Sequence, residues 1–136
     1  MRLSAAHLPA QSFDKVAGQL SAYGNTEVRL VPPRSRKLGT YRPTPQGGHL
    51  ITLNDNLPPH IMLIVLIHEM SHLENRLQNG NNVSSHGKEW KHIYSRMLKD
   101  YIYRNIFPKE LAEPLMQHAQ KPCATFPKEL NHMLKN

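Results

Sequence analysis

Between residues 68 and 86 the chain sets out three histidines and a glutamate in an order that suits metal chemistry. The run HEMSH at 68–72 is an H-E-x-x-H pattern. On an α-helix, residues four apart lie about 40° apart around the axis and one turn along it, so the His68 and His72 imidazoles can converge on one ion. Glu69 lies near that face, where it can take a proton from a water on the metal rather than bind the metal itself. Zinc is the metal that neutral imidazoles suit. A catalytic zinc keeps three protein ligands and one position open to water.

The third ligand is less constrained. His86 follows across a Gly/Asn-rich turn, at the mouth of the next helix. A loop of that length permits the second helix to begin beside the metal. Glu74 falls on the far side of the helix from His68. His49, His60 and His92 have no spacing argument, and His86 has the rival role of a helix cap. The bland alternative for the whole set is core histidines that only hydrogen-bond. Against it stand the surroundings. Two histidines and a glutamate share the most apolar helix of the chain, where an unpartnered charge is costly.

That helix has to be positioned. Residues 61–67 are apolar at every position, which marks a helix buried all round. Pro58 or Pro59 suits its first turn, Asp55 or Asn56 can cap it, and Asn79-Gly80 ends it. Before it, 12–23 reads as a first helix capped by Ser12, with Phe13, Val16, Ala17 and Leu20 at helical spacing. Strands are expected at 27–31, 37–42 and 49–53, with a turn at 44–48, so the middle is a small three-stranded sheet. After the histidine loop, a helix over 87–104 carries Trp90, Ile93, Tyr94, Met97, Leu98, Tyr101 and Ile102 on one stripe. Its other face carries Lys88, Lys91, His92, Arg96 and Lys99. A weaker helix follows over 108–119. The class is α+β.

A chain of 136 residues points to one domain, placed at 1–120, with a polar, proline-containing tail over 121–136 expected to be poorly ordered. Cys123 is the only cysteine, so neither an intramolecular disulfide nor a cysteine zinc ribbon is available. This suits a reducing compartment. The N-terminus has no apolar signal-peptide core, and no apolar run approaches membrane-spanning length. The expectation is a cytoplasmic protein with no membrane partner.

The run HGKEWK at 86–91, placed after HEMSH, resembles the SprT-like family of zinc metalloproteases. The family pattern is H-E-x-x-H, a variable loop, then a histidine followed by glycine and, three residues on, an aromatic. His68, Glu69, His72, His86, Gly87 and Trp90 match it, and the β-rich stretch 39–53 is similar to the family's sheet. The resemblance spans roughly residues 10–105. It implies a minimal zincin-like domain: N-terminal helix, three-stranded sheet, active-site helix, and a second helix after the third histidine. It further implies one Zn2+ held by His68, His72 and His86, with Glu69 as general base in hydrolysis of a protein or peptide. Trp90 then packs behind the site. Tyr94 and His92 are candidates to stabilise the oxyanion. The family's eukaryotic branch includes a DNA-dependent protease, which makes DNA a candidate partner. Many bacterial members look as though they end in a cysteine zinc ribbon, which this chain lacks.

The formal net charge of +7 favours polyanions. Arg29, Arg34, Arg36, Lys37 and Arg42 form a basic arm with no acid between positions 28 and 54. Such an arm can track phosphates, with Tyr41 stacking on a base. It is equally suited to a solvated strand edge that resists aggregation. The alternative to an enzyme is a non-catalytic, zinc-containing basic domain that binds nucleic acid. A metal-free adaptor is the third reading.

Overall fold

The longest helix organises everything around it. In the computed structural model, which describes residues 1–122, α2 (Pro59–Asn79) begins behind Pro58 and ends at Gly80. Gly80 has φ 69°, a left-handed conformation that glycine adopts without strain, and its N–H donates to the Arg76 carbonyl at 2.9 Å. Neither Asp55 nor Asn56 caps the helix. Pro58 occupies the N-cap position. All seven residues from Ile61 to Ile67 are buried, because the helix has a layer on each side.

One layer is the sheet of β1 (Thr26–Val31), β2 (Gly39–Pro43) and β3 (His49–Asn54), in the order β1-β3-β2. β1 runs parallel to β3, and β2 forms an antiparallel hairpin with it. The strand-forming signal correctly located three strands but not their order. The second strand also starts two residues later than expected, because the Lys37 carbonyl accepts from the buried Asn54 Nδ2 at 2.8 Å. Gly39 brings β2 against the helix. A Cβ there would lie 2.8 Å from Val65 Cγ1 and 3.0 Å from the Thr52 carbonyl oxygen. The outer edge of β1 is partly occupied by the N-terminus, where Leu30 N–H donates to the Met1 carbonyl at 2.7 Å. The outer edge of β2 pairs with no strand among the described residues.

The other layer is helical. α3 (Lys88–Tyr103) buries the whole expected stripe against α2. α4 (Lys109–Gln120) buries Leu111, Leu115, His118 and Ala119 against α3. α1 (Phe13–Ala22) is tied in by polar contacts. Tyr23, just beyond its end, donates to Glu74 on α2 at 2.7 Å. Lys15 pairs with Asp100 on α3 at 2.5 Å. Ser12 sits at the N-cap position but its hydroxyl donates backward to the Pro9 carbonyl, at 2.6 Å, so it does not cap the helix. Apart from residues 121–122, the expected tail lies outside the described residues. Among the described residues no helix is long and apolar enough to cross a membrane.

Candidate metal centre

His68 and His72 stand one turn apart on α2, with ring centroids 5.0 Å apart. The loop after Gly80 doubles back, so His86 arrives two residues before α3 begins. Gly87, not His86, is the N-cap of that helix. The His86 ring then lies 5.4 Å from His68 and 4.6 Å from His72. His86 Nε2 is 3.0 Å from His72 Nε2 and 3.4 Å from His68 Nε2. Two nitrogens bound tetrahedrally at a zinc–nitrogen distance of about 2.0–2.1 Å would stand about 3.3 Å apart.

The chemistry of these donors fits a cation. Burial, reinforced by the neighbouring imidazoles, lowers His68 to about 3 and His72 to about 4. Burial and then Lys91 lower His86. All three rings are therefore neutral near pH 7 and offer lone pairs. A neutral ring nitrogen has one hydrogen or one in-plane lone pair, so His86 Nε2 cannot make two good hydrogen bonds at once. A shared cation resolves that conflict. Among the described residues this is the only group of metal-binding side chains so arranged.

Trp90 is the floor. Its ring is fully buried and lies 4.8, 5.1 and 4.7 Å from the rings of His68, His72 and His86. It stacks on Tyr94 at 4.8 Å, and the Tyr94 hydroxyl meets His118 Nε2 at 2.9 Å. The aromatic column thus runs from the triad through α3 to α4, and it fixes the imidazoles by packing.

Glu69 is 7 % exposed, and burial raises its carboxyl to about 7, with the positive charge of Arg34 opposing the rise. It shares an open cleft of about 460 Å³ with His72 and His86. Thr40 and Tyr41 of β2 form one wall, Glu69, His72 and Arg76 of α2 another, and His86 closes it.

The rival ligands are elsewhere. Glu74 accepts from Tyr23 and, at 2.9 Å, from Arg96, which anchors three segments of chain on the far side of α2. His60 packs on Phe107, and the His49 ring meets the Tyr41 hydroxyl. His92 is exposed beside Gln78 and Asn79. Tyr94 is fully buried, with its hydroxyl on His118, so neither proposed oxyanion group faces the cleft.

The basic arm is not one surface. Because β3 separates β1 from β2, Arg29 and Arg42 lie on opposite edges of the sheet. Arg29 pairs with Glu27 at 3.0 Å, an acid just outside the window that looked acid-free. Arg34 folds onto β3, donating to Asn54 and Thr52 at 2.9 and 3.0 Å. Arg36, Lys37 and Arg42 remain exposed. Arg76 was not singled out from the sequence, although its position one turn beyond His72 puts it on the same helix face.

The molecule is thus an α+β domain whose longest helix and following loop bring together three histidines able to hold a metal ion. It belongs to the SprT-like family, a family of metalloprotease-like domains, which matches residues 11–113. Neither a curated protein nor a solved structure matches the chain.

Proposed function

We propose that this chain is a zincin-type, zinc-dependent metallopeptidase that hydrolyses peptide bonds of protein or peptide substrates. The observation that carries the reading is the convergence of three neutral imidazole Nε2 atoms, two of which line an open cleft together with a buried glutamate. His68, His72 and His86 would hold the ion. Bound zinc supplies Lewis acidity toward the substrate carbonyl and toward the attacking water.

The remaining work falls to the protein. Glu69, the one acid lining the cleft among the described residues, takes the proton from the attacking water and hands it to the leaving amine. Its carboxylate form, which the base needs, would be favoured by a dication held by the three histidines. The unpaired outer edge of β2 offers backbone N–H and C=O groups to an extended peptide lying along the cleft wall. Trp90 closes the back of the site against water. With a net charge of +7, the chain favours polyanionic surroundings, so DNA-associated proteins are the candidate substrates.

The test compares zinc-loaded wild type with Glu69→Gln on an unfolded protein substrate, with zinc content measured in parallel. The wild type should cleave, lose activity under a chelator and regain it with zinc. Glu69→Gln should keep its zinc and lose about 10²-fold or more in rate, the usual cost of removing a general base. Equal hydrolysis by the two proteins would overturn the proposal.

A further inference from the structure

The cleft holds one charge that hydrolysis itself does not use. Arg76 lies half-buried on α2, four residues after His72, and lines the cleft with it. Its Nη1 donates to the side-chain carbonyl of Asn81 in the loop that follows the helix. The other guanidinium N–H groups have no acceptor among the described residues. Among the described residues no carboxylate pairs with it. Glu74, the nearest acid in sequence, is taken by Tyr23 and Arg96, and among the described residues Glu69 is the only acid lining the cleft. The guanidinium charge reaches across the cleft to Tyr41 on β2 and to His49 on β3. Burial first, and Arg76 second, disfavour the protonated form of His49, whose ring meets Tyr41.

We infer that Arg76 is a specificity-determining residue that binds a substrate carboxylate within about two residues of the scissile bond, an inference that rests on the peptidase reading. The distance follows from two pitches. Four residues of helix advance about 6 Å from His72, and an extended peptide advances about 3.3 Å per residue. A guanidinium presents paired N–H donors in the geometry a carboxylate accepts. Asn81 holds one arm in place, so less side-chain freedom is lost when the anion binds. The carboxylate has two sources, an Asp or Glu side chain within the peptide and the free C-terminus of a short product or substrate.

The test uses the zinc-loaded Glu69→Gln variant of the 136-residue chain, which binds without turnover, and fluorescein-labelled ten-residue peptides read by anisotropy. One peptide is neutral and amidated. A second set carries a single Glu at successive positions. A third is neutral with a free C-terminus, and a fourth carries Lys in place of Glu. The expected result is about tenfold tighter binding of one acidic peptide than of the neutral one, the advantage a charge-assisted pair gives. In Glu69→Gln/Arg76→Gln that ratio should fall to about one, in Arg76→Lys it should survive in part, and in Arg76→Glu the Lys peptide should bind better than the Glu peptide. Zinc content and circular dichroism establish that each variant is folded. A preference confined to the free C-terminus assigns Arg76 to chain ends, and one at an internal Glu assigns it to side chains. An acidic preference that persists undiminished in Arg76→Gln belongs to the metal and overturns the inference, as does the lack of any preference. If the neutral peptide is bound and wild type cleaves it, the peptidase reading stands regardless. If no peptide is bound or cleaved, that reading falls and takes this inference with it.

Discussion

His86 Nε2 lies 3.0 Å from His72 Nε2, although fourteen residues and the end of a helix separate them in the chain. The loop after Gly80 achieves this by folding back along α2, which leaves His86 on a half-buried segment rather than inside a helix. His86→Ala should therefore fold and lose metal. Zinc measured on the purified variant should fall well below one per chain, while His68 and His72 remain in place. Undiminished stoichiometry would mean that another side chain completes the site.

Trp90 is the only tryptophan of the chain, and its ring lies within 4.7–5.1 Å of all three candidate ligands. Its fluorescence should report occupancy directly. Replacing zinc by Co2+ should quench the emission strongly, because an absorbing ion would sit against the ring. Emission that is the same with zinc, with Co2+ and with chelator would place the metal away from this floor.

Much of this site was legible in sequence because helix periodicity is a local rule. The spacing of His68 and His72 and the stripe from Trp90 to Ile102 follow from 3.6 residues per turn alone. The position of His86 was only permitted, since a loop of that length has many paths. The sheet order was not legible at all. β1 pairs in parallel with β3 across an intervening strand, and a hydrophobic pattern does not say which neighbour a strand takes. The spatial arrangement of the basic arm was illegible for the same reason. Adjacency in sequence put Arg29, Arg34 and Arg42 together, while pairing sent them to opposite edges and, for Arg34, inward onto Thr52 and Asn54.

Gly39 marks where the cleft wall meets the helix. Alanine in a strand normally stabilises relative to glycine, but here the added Cβ would approach Val65 Cγ1 to 2.8 Å. Steric crowding should win, and Gly39→Ala should cost about 1–3 kcal/mol, read as a lowered denaturation midpoint. Val65→Ala should remove part of that cost when combined with it, giving a favourable coupling in a double-mutant cycle. Additive losses would show that the strand and helix do not meet at this point.

His118 should make the fold sensitive to acid independently of the metal ligands. It is 6 % exposed on α4, and burial lowers its pKa. It faces the Tyr94 hydroxyl on α3, and its charge would also oppose protonation of His68 on α2. The unfolded chain protonates this histidine near pH 6.5, and the folded chain does so only at lower pH. Above pH 6.5 neither state binds the proton, and stability is unaffected. Below it the unfolded state takes up a proton that the folded state refuses, so stability falls as pH falls, by up to about 1.4 kcal/mol per pH unit. His118→Gln keeps a partner for Tyr94 and removes the titration. Denaturant unfolding of wild type and variant, compared between pH 7 and pH 5 in the same chelator-containing buffer, should show a shallower loss in the variant, by at most one proton. Histidines common to both proteins cancel in that difference, so parallel curves would mean that His118 is protonated as readily in the fold as outside it.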